Sequence, residues 1–326
     1  MVWLRLKRHC EERQHIDEAI SGVLLYKIAA LISFARNDTI IKHINMNNNS
    51  PKISIVLPVY NREKLLPKAI ESCLNQTFKD FELIIIDDCS KDKSFEIAKE
   101  YAKQDQRIKV IRNEPNKRLP ASLNIAFKEA RGQYFTWTSD DNLLHENALA
   151  KMNDVLDNSP DIGLVYTDYT LIDEQGKIGA RLYQESPEFL PIRDCVGACF
   201  LYRADIAKMV GGYNENMSLV DDYEYWLRFG LVTKFAHIPE SLYFYMVHDQ
   251  SLTTERKAEA QKAKKALKEL FKDKYTIPNK IKPIDDLYNW FIEDKNLNSY
   301  LKLLKIIICN PIITLSYILK NLKRIR

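Results

Sequence analysis

Six cysteines in 326 residues (Cys10, Cys73, Cys89, Cys195, Cys199 and Cys309) form no CxxC pair and no zinc-ligand spacing. That absence excludes a recognisable zinc module and fits a reduced, cytoplasmic setting. Long apolar runs are missing too. The apolar stretch Ala19–Ala35 is interrupted by Lys27 and falls short of the roughly 20 residues that a spanning helix needs. It reads as a packing or interfacial helix. No small-residue cleavage site follows a clean apolar core, so no cleavable signal peptide is expected. Internal repeats are absent, and so are the usual nucleic-acid recognition modules.

What is present is ordinary globular composition, 46% hydrophobic and 28% charged, with ample material for a core. Charge is unevenly spread. From Glu255 onward there are 17 Lys/Arg against 8 Asp/Glu, whereas the preceding residues carry 31 against 36. A weakly acidic body with a basic tail points to an anionic surface as the tail's partner. The boundaries that follow are an N-terminal helical extension and linker over 1–50, a main domain over 51–254 and a basic helical region over 255–326.

The main domain alternates regularly. Ile53–Leu57 reads as a buried strand ended by Pro58, and a helix follows over roughly 64–76 with Pro67 near its start. Phe81–Ile86 is a second buried strand, followed by a helical stripe (Phe95, Ala98, Tyr101, Ala102) and a third strand at Arg107–Arg112. Pro120 opens a further helix bearing Leu123, Ala126, Phe127 and Ala130, with Gly132 as its stop. Then come a strand from Gly132, a helix near Glu146–Leu156 and a strand at Ile162–Ile172. Gly176 turns the chain before Arg181–Tyr183; Asp194–Arg203 is strand-like, Asp221–Phe229 helical, and 255–275 a Lys/Ala/Glu helix. This β-α-β alternation with short connections predicts an α/β fold, a mostly parallel sheet with helices on both faces.

In such sheets ligands bind outside the carboxyl ends of the strands. Three polar clusters fall at those ends: Pro58-Val59-Tyr60-Asn61, Asp87-Asp88 and Asp140-Asp141-Asn142. The last offers hard oxygen ligands to a divalent cation. Tyr60 can stack on a base, and a carboxylate beside it can accept the ring N–H of a pyrimidine. Each cluster alone also reads as a turn or a helix cap. Their convergence on one edge is the argument for a site.

Ile53–Asn61, Phe81–Asp88 and Thr138–Asn142, with Gly211–Glu215 and Val220–Arg228 downstream, resemble in order and spacing the family-2 inverting glycosyltransferases with a GT-A fold. The resemblance spans roughly residues 52–255. It implies that Pro58, Tyr60 and Asn61 cradle a nucleoside, that Asp88 bonds the base and that Asp140 lies near the ribose and metal. It also implies that Asp141 ligates the metal, Mn²⁺ or Mg²⁺, and that Asp222 is the catalytic base. His248 resembles a late histidine that in some members joins the metal or diphosphate; a surface or packed histidine is the other reading. Two departures stand out. Asn142 replaces a third carboxylate, and Arg118, preceded by Lys117, stands where many members have glycine, within reach of a diphosphate or merely solvated.

The implied reaction is attack by an acceptor hydroxyl on the anomeric carbon of a nucleotide sugar, a UDP-sugar being favoured. A metal and nearby cations stabilise the departing diphosphate, and one direct displacement inverts the centre. Without the resemblance, Asp221, Asp222 and Glu224 read as acids favouring a helix N-terminus, and Trp226 reads as core. The acceptor expected is a saccharide or a lipid-linked one, in cell-surface polysaccharide or glycoconjugate synthesis. The C-terminal stripe Ile312, Leu315, Ile318, Leu319 and Leu322 with Lys320, Lys323 and Arg324 suits an interfacial helix on the inner face of the cell membrane, or a helix packed on protein. Two rival functions remain. A sugar-1-phosphate nucleotidyltransferase would favour a Gly-rich basic loop where Tyr60-Asn61-Arg62 stands; a non-catalytic nucleotide-sugar-binding protein would not need the intact acidic positions.

Overall fold

The computed structural model describes residues 50–217, 219–247, 256–278 and 281. The expectations for the N-terminal extension, His248 and the apolar C-terminal helices lie outside the described residues.

The elements run β1 (Ile53–Val59), α1 (Leu66–Leu74), β2 (Phe81–Asp87), α2 (Ser94–Gln104), β3 (Ile108–Arg112), α3 (Leu119–Lys128), β4 (Tyr134–Trp137), β5 (Leu143–Leu144), α4 (Ala148–Asn158), β6 (Ile162–Ile172), β7 (Ile178–Leu182), a 3₁₀ turn (Pro187–Phe189), β8 (Phe200–Arg203), α5 (Ala204–Val210), α6 (Asp221–Gly230), β9 (Lys234–Met246) and α7 (Lys257–Phe271). Nine strands form one sheet in the order β3-β2-β1-β4-β8-β6-β9-β5, with β7 beside β6. Six strands (β1–β4, β6 and β9) run one way; β5, β7 and β8 oppose them. Every residue of β1 and β2 is buried, as expected of central parallel strands covered on both faces.

Side-chain alternation sorts the core into two halves. Ile53, Ile55, Leu57 and Val59 pack with Leu66 and Ile70 of α1, Ala98 of α2 and Met152 of α4. Val56, Ile84 and Ile86 face the other way, into a cluster with Leu123 of α3, Trp226 and Phe229 of α6, and Leu267 and Phe271 of α7. Trp226 is fully buried there, so its core reading holds. No helix among the described residues is long and apolar enough to cross a membrane.

Four local expectations are corrected. Pro58 does not end β1 but pairs within it, opposite Ile86. The Val56 carbonyl accepts Thr138 N–H on the β4 side and the Val59 carbonyl accepts Asp88 N–H on the β2 side. Two residues past Val56, Pro58 therefore turns its missing donor toward β4, where the ladder has already stopped at Val56 and Trp137. Gly132 is no helix stop, since α3 ends at Lys128; its use is close packing. A Cβ there would lie 2.5 Å from Ser54 N and 2.7 Å from Ser54 Oγ. The strand expected over Asp194–Arg203 is confined to Phe200–Arg203, and α5 follows at once. Finally, β9 was not expected at all. Pro239 and Glu240 sit where its register against β6 shifts, and half-exposed positions blur the alternation.

Ser54 Oγ accepts from Gly132 N (2.8 Å) and donates to the buried Glu82 (2.6 Å). Gly132→Ala should cost about 1–3 kcal/mol by overpacking, seen as a lower urea midpoint at unchanged slope.

Candidate active site

The carboxyl ends of β1, β2 and β4 are tied to one another by side chains. Tyr60 N–H donates to Asp140 Oδ2 at 3.2 Å, joining the turn after β1 to the acidic turn after β4. Asn61 adopts φ 54°, a left-handed conformation that asparagine tolerates better than most residues. Its N–H donates to Ser90 Oγ (3.0 Å), and its Oδ1 accepts Lys91 N–H (2.8 Å). Pro58, Tyr60, Asn61, Asp88 and Asp140 are thus brought to one rim. Tyr60 is 45% exposed there, leaving its ring available for stacking.

Asp88, buried, is the hub of the second turn. Its Oδ1 accepts from Asn113 Nδ2 and Lys117 N, and its Oδ2 from Arg118 N, each at 2.8 Å. Arg118 takes φ 68° at the start of α3. The backbone of both basic residues is therefore fixed while their side chains stay exposed. Asn113, which this hub recruits, was missed from sequence; a lone asparagine after a strand gives no signal.

Burial and the charge of Asp141 push the Asp140 carboxyl up to about 7, against the pull of Tyr60 N–H and Arg62. Arg62 Nε lies 3.7 Å from Asp140 Oδ1. Among the described residues no three His, Cys, Asp or Glu side chains converge as a ready metal cage. Still, two adjacent carboxylates are hard donors suited to Mg²⁺ or Mn²⁺. Their mutual repulsion is a stress that a divalent cation relieves, so the donor set fits such an ion. Asn142 does not belong to it. Its Oδ1 accepts Met246 N–H at 2.8 Å in a buried position, pinning the end of β9 to the acidic turn.

Asp222 stands in a second cluster, in the first turn of α6. Burial first, then the charges of Asp221 and Asp194, raise its carboxyl well above the usual range, and Lys264 opposes them. Asp222 Oδ1 is buried without a hydrogen-bond partner in the protein. Tyr213, whose phenol is raised by burial first and then by Tyr202 and Asp222, links the two clusters: Trp137 Nε1 of β4 donates to its Oη at 3.0 Å. Its backbone is held by Asn124 of α3, whose Oδ1 accepts Tyr213 N–H at 2.7 Å and whose Nδ2 donates to Tyr213 O at 2.9 Å. This approach explains Gly212, where a Cβ would lie 2.5 Å from Asn124 Oδ1.

Asn142→Ala would leave the buried Met246 N–H unpaired and should cost about 1–3 kcal/mol, measured as a drop in unfolding free energy by urea titration.

The family profile described as Glycosyl transferase family 2 matches residues 54–211. The Putative glycosyltransferase EpsE of Bacillus subtilis is 36% identical over 188 residues, covering 56% of this chain and 68% of that one. The Chondroitin synthase of Escherichia coli is 29% identical over 215 residues, which is 65% of this chain but 31% of that one. Among solved structures, S. aureus TarS 1-349 in complex with UDP-GlcNAc has a TM-score of 0.55 at 18% identity, covering 66% of each chain. The mannosyltransferase PcManGT from Pyrobaculum calidifontis, in complex with GDP-Man and Mn²⁺, has a TM-score of 0.58 at 14% identity, over 92% of this chain and 85% of that one. These structural likenesses carry the fold, a GT-A-type α/β sheet. The family profile and the 36% identity to EpsE over 68% of that protein show that the chain belongs to glycosyl transferase family 2.

Proposed function

We propose that this chain is an inverting, metal-assisted glycosyltransferase that moves a sugar from a UDP-sugar to an acceptor hydroxyl. The observation that carries it is Asp222 Oδ1, an unpaired carboxylate oxygen in the first turn of α6. A single displacement needs a base for the acceptor proton and no nucleophile on the enzyme, and a carboxylate held above its usual range is a stronger base.

The donor half supports a pyrimidine. A carboxylate has about four lone-pair sites, and Asp88 already accepts three N–H bonds. One site is left, enough for the single ring N–H of uracil or thymine but not for the paired donors of guanine. Tyr60 would stack on that base, with Pro58 and Asn61 shaping the turn beneath. Asp141 with Asp140 would hold the cation, and the side chains of Arg118 and Lys117 would lie toward the diphosphate. Mn²⁺ or Mg²⁺, when bound, offsets charge on the departing diphosphate. TarS with UDP-GlcNAc and PcManGT with GDP-Man and Mn²⁺ are in keeping with such a donor and metal. The likeness to a chondroitin synthase supports a saccharide acceptor and polysaccharide or glycoconjugate synthesis. His248 as a further metal ligand, and the basic C-terminal stripe on a membrane surface near lipid-linked acceptors, complete the reading.

Donor turnover with Mn²⁺ across UDP-sugars and an acceptor panel tests this. Asp222→Asn should lower kcat by roughly 10²- to 10⁴-fold with little change in donor KM. Asp141→Ala should lose most of the turnover that added metal supports, and chelation should silence the wild type. Because the Asp222 carboxyl is raised, kcat/KM should fall on acidification while pH is still above the ordinary carboxylate range. Undiminished turnover in both variants would rule the assignment out.

A further inference from the structure

Arg62 stands between the turn after β1 and the acidic turn after β4, and its backbone is fixed. Its N–H donates to Ser94 Oγ at 2.9 Å. Its carbonyl accepts Leu65 N–H at 3.1 Å and Leu66 N–H at 2.9 Å, opening α1. Ser94 Oγ in turn donates to Asp92 Oδ1 at 2.6 Å. Asp92 Oδ2 accepts Glu63 N–H, and Glu63 Oε2 accepts Lys93 N–H, each at 3.0 Å. The carboxylates of Glu63 and Asp92 are thus engaged by peptide groups, while the Arg62 guanidinium reaches across to another loop.

There Arg62 Nε lies 3.7 Å from Asp140 Oδ1, the two side chains being 25% and 15% exposed. The other oxygen, Oδ2, accepts Tyr60 N–H at 3.2 Å. One oxygen of Asp140 is therefore met by a peptide that the fold holds in place, the other by a long side chain free to turn. A separation of 3.7 Å is that of an ion pair without a hydrogen bond, so Oδ1 is the oxygen able to change partner. A divalent cation sits about 2.0–2.1 Å from its carboxylate oxygens. A guanidinium and such a cation repel each other across one oxygen, and the side chain is the one that can leave. Released, it remains on the rim between the Tyr60 turn and the acidic turn. Its planar fork of N–H donors suits phosphate oxygens, and a diphosphate joining a base at Tyr60 to a cation at Asp140 and Asp141 would pass over that ground.

We propose that Arg62 is an exchangeable counter-ion of the acidic turn, pairing with Asp140 in the free protein and with the diphosphate of the nucleotide once a divalent cation takes that oxygen. The inference rests on Asp140 and Asp141 being the cation's ligands. It makes cation and diphosphate helpers of each other beyond any direct contact between them. A cation on Asp140 frees Arg62 for the diphosphate, and a diphosphate that draws Arg62 away frees Asp140 for the cation. The two effects are equal by linkage.

Mn²⁺ binding to the full chain, followed by the EPR signal of the free ion, tests this without turnover. With no nucleotide present, Arg62→Met should bind Mn²⁺ roughly two- to fivefold more tightly than the wild type, as expected from loss of a competing ion pair. Added UDP should tighten Mn²⁺ binding by the wild type, whereas uridine, which lacks the diphosphate, should not. In Arg62→Met the gain from UDP should shrink, and Arg62→Lys, which keeps the charge without the fork, should fall between the two. Asp140→Asn should weaken Mn²⁺ binding and erase the effect of Arg62→Met. Mn²⁺ bound by Arg62→Met no more tightly than by the wild type would overturn the proposal while leaving the metal ligands standing. Tighter Mn²⁺ with an undiminished gain from UDP would overturn it too, since Arg62 would then never reach the diphosphate. A wild type that fails to bind Mn²⁺ or UDP would instead remove the donor and metal reading and this inference with it.

Discussion

Three N–H groups converging on the Asp88 carboxylate hold the rim at the ends of β1 and β2 together. A buried carboxylate is costly unless its oxygens are met by donors, and here peptide groups do most of the meeting. The loop carrying Lys117 and Arg118 is thereby fixed to the end of β2. The same residue is tied back to β1 through its own N–H and the Val59 carbonyl. The rim is preorganised by bonds that a mobile loop would have to form anew at each turnover.

The cluster around Asp222 is held differently, by aromatic packing. Tyr213 stacks on Tyr225 of α6 with ring centroids 4.0 Å apart, and Tyr202 of β8 meets Tyr225, Trp226 and Phe229 edge-on. This layer excludes water beneath Asp221 and Asp222, which is why their charged forms are disfavoured. The polar rim and the aromatic floor meet at Trp137, the last residue of β4 and three before Asp140, so one short segment aligns both.

Much of this was legible in sequence because the relevant signals are periodic or terminal. Strands followed closely by Asp88 and by Asp140 place those side chains at a sheet edge by topology alone. The helix bearing Tyr225, Trp226 and Phe229 was legible for the same reason. What escaped was whatever depends on non-local partners. Pro58 looked like a strand end because its ladder stops on one side only, a fact about β4 rather than about Pro58. The long β9 hid behind Pro239 and Glu240. Asn142 looked like a weakened ligand, whereas its oxygen is committed to a peptide 104 residues away.

The amide at Asn142 has a bearing on how much charge the folded turn has to carry. A carboxylate in its place could accept the same peptide proton, so shape alone does not ask for asparagine. A third negative group next to Asp140 and Asp141 would, however, add repulsion inside a partly desolvated turn. With a neutral side chain there, the sheet closes with one fewer like charge to hold together in that turn.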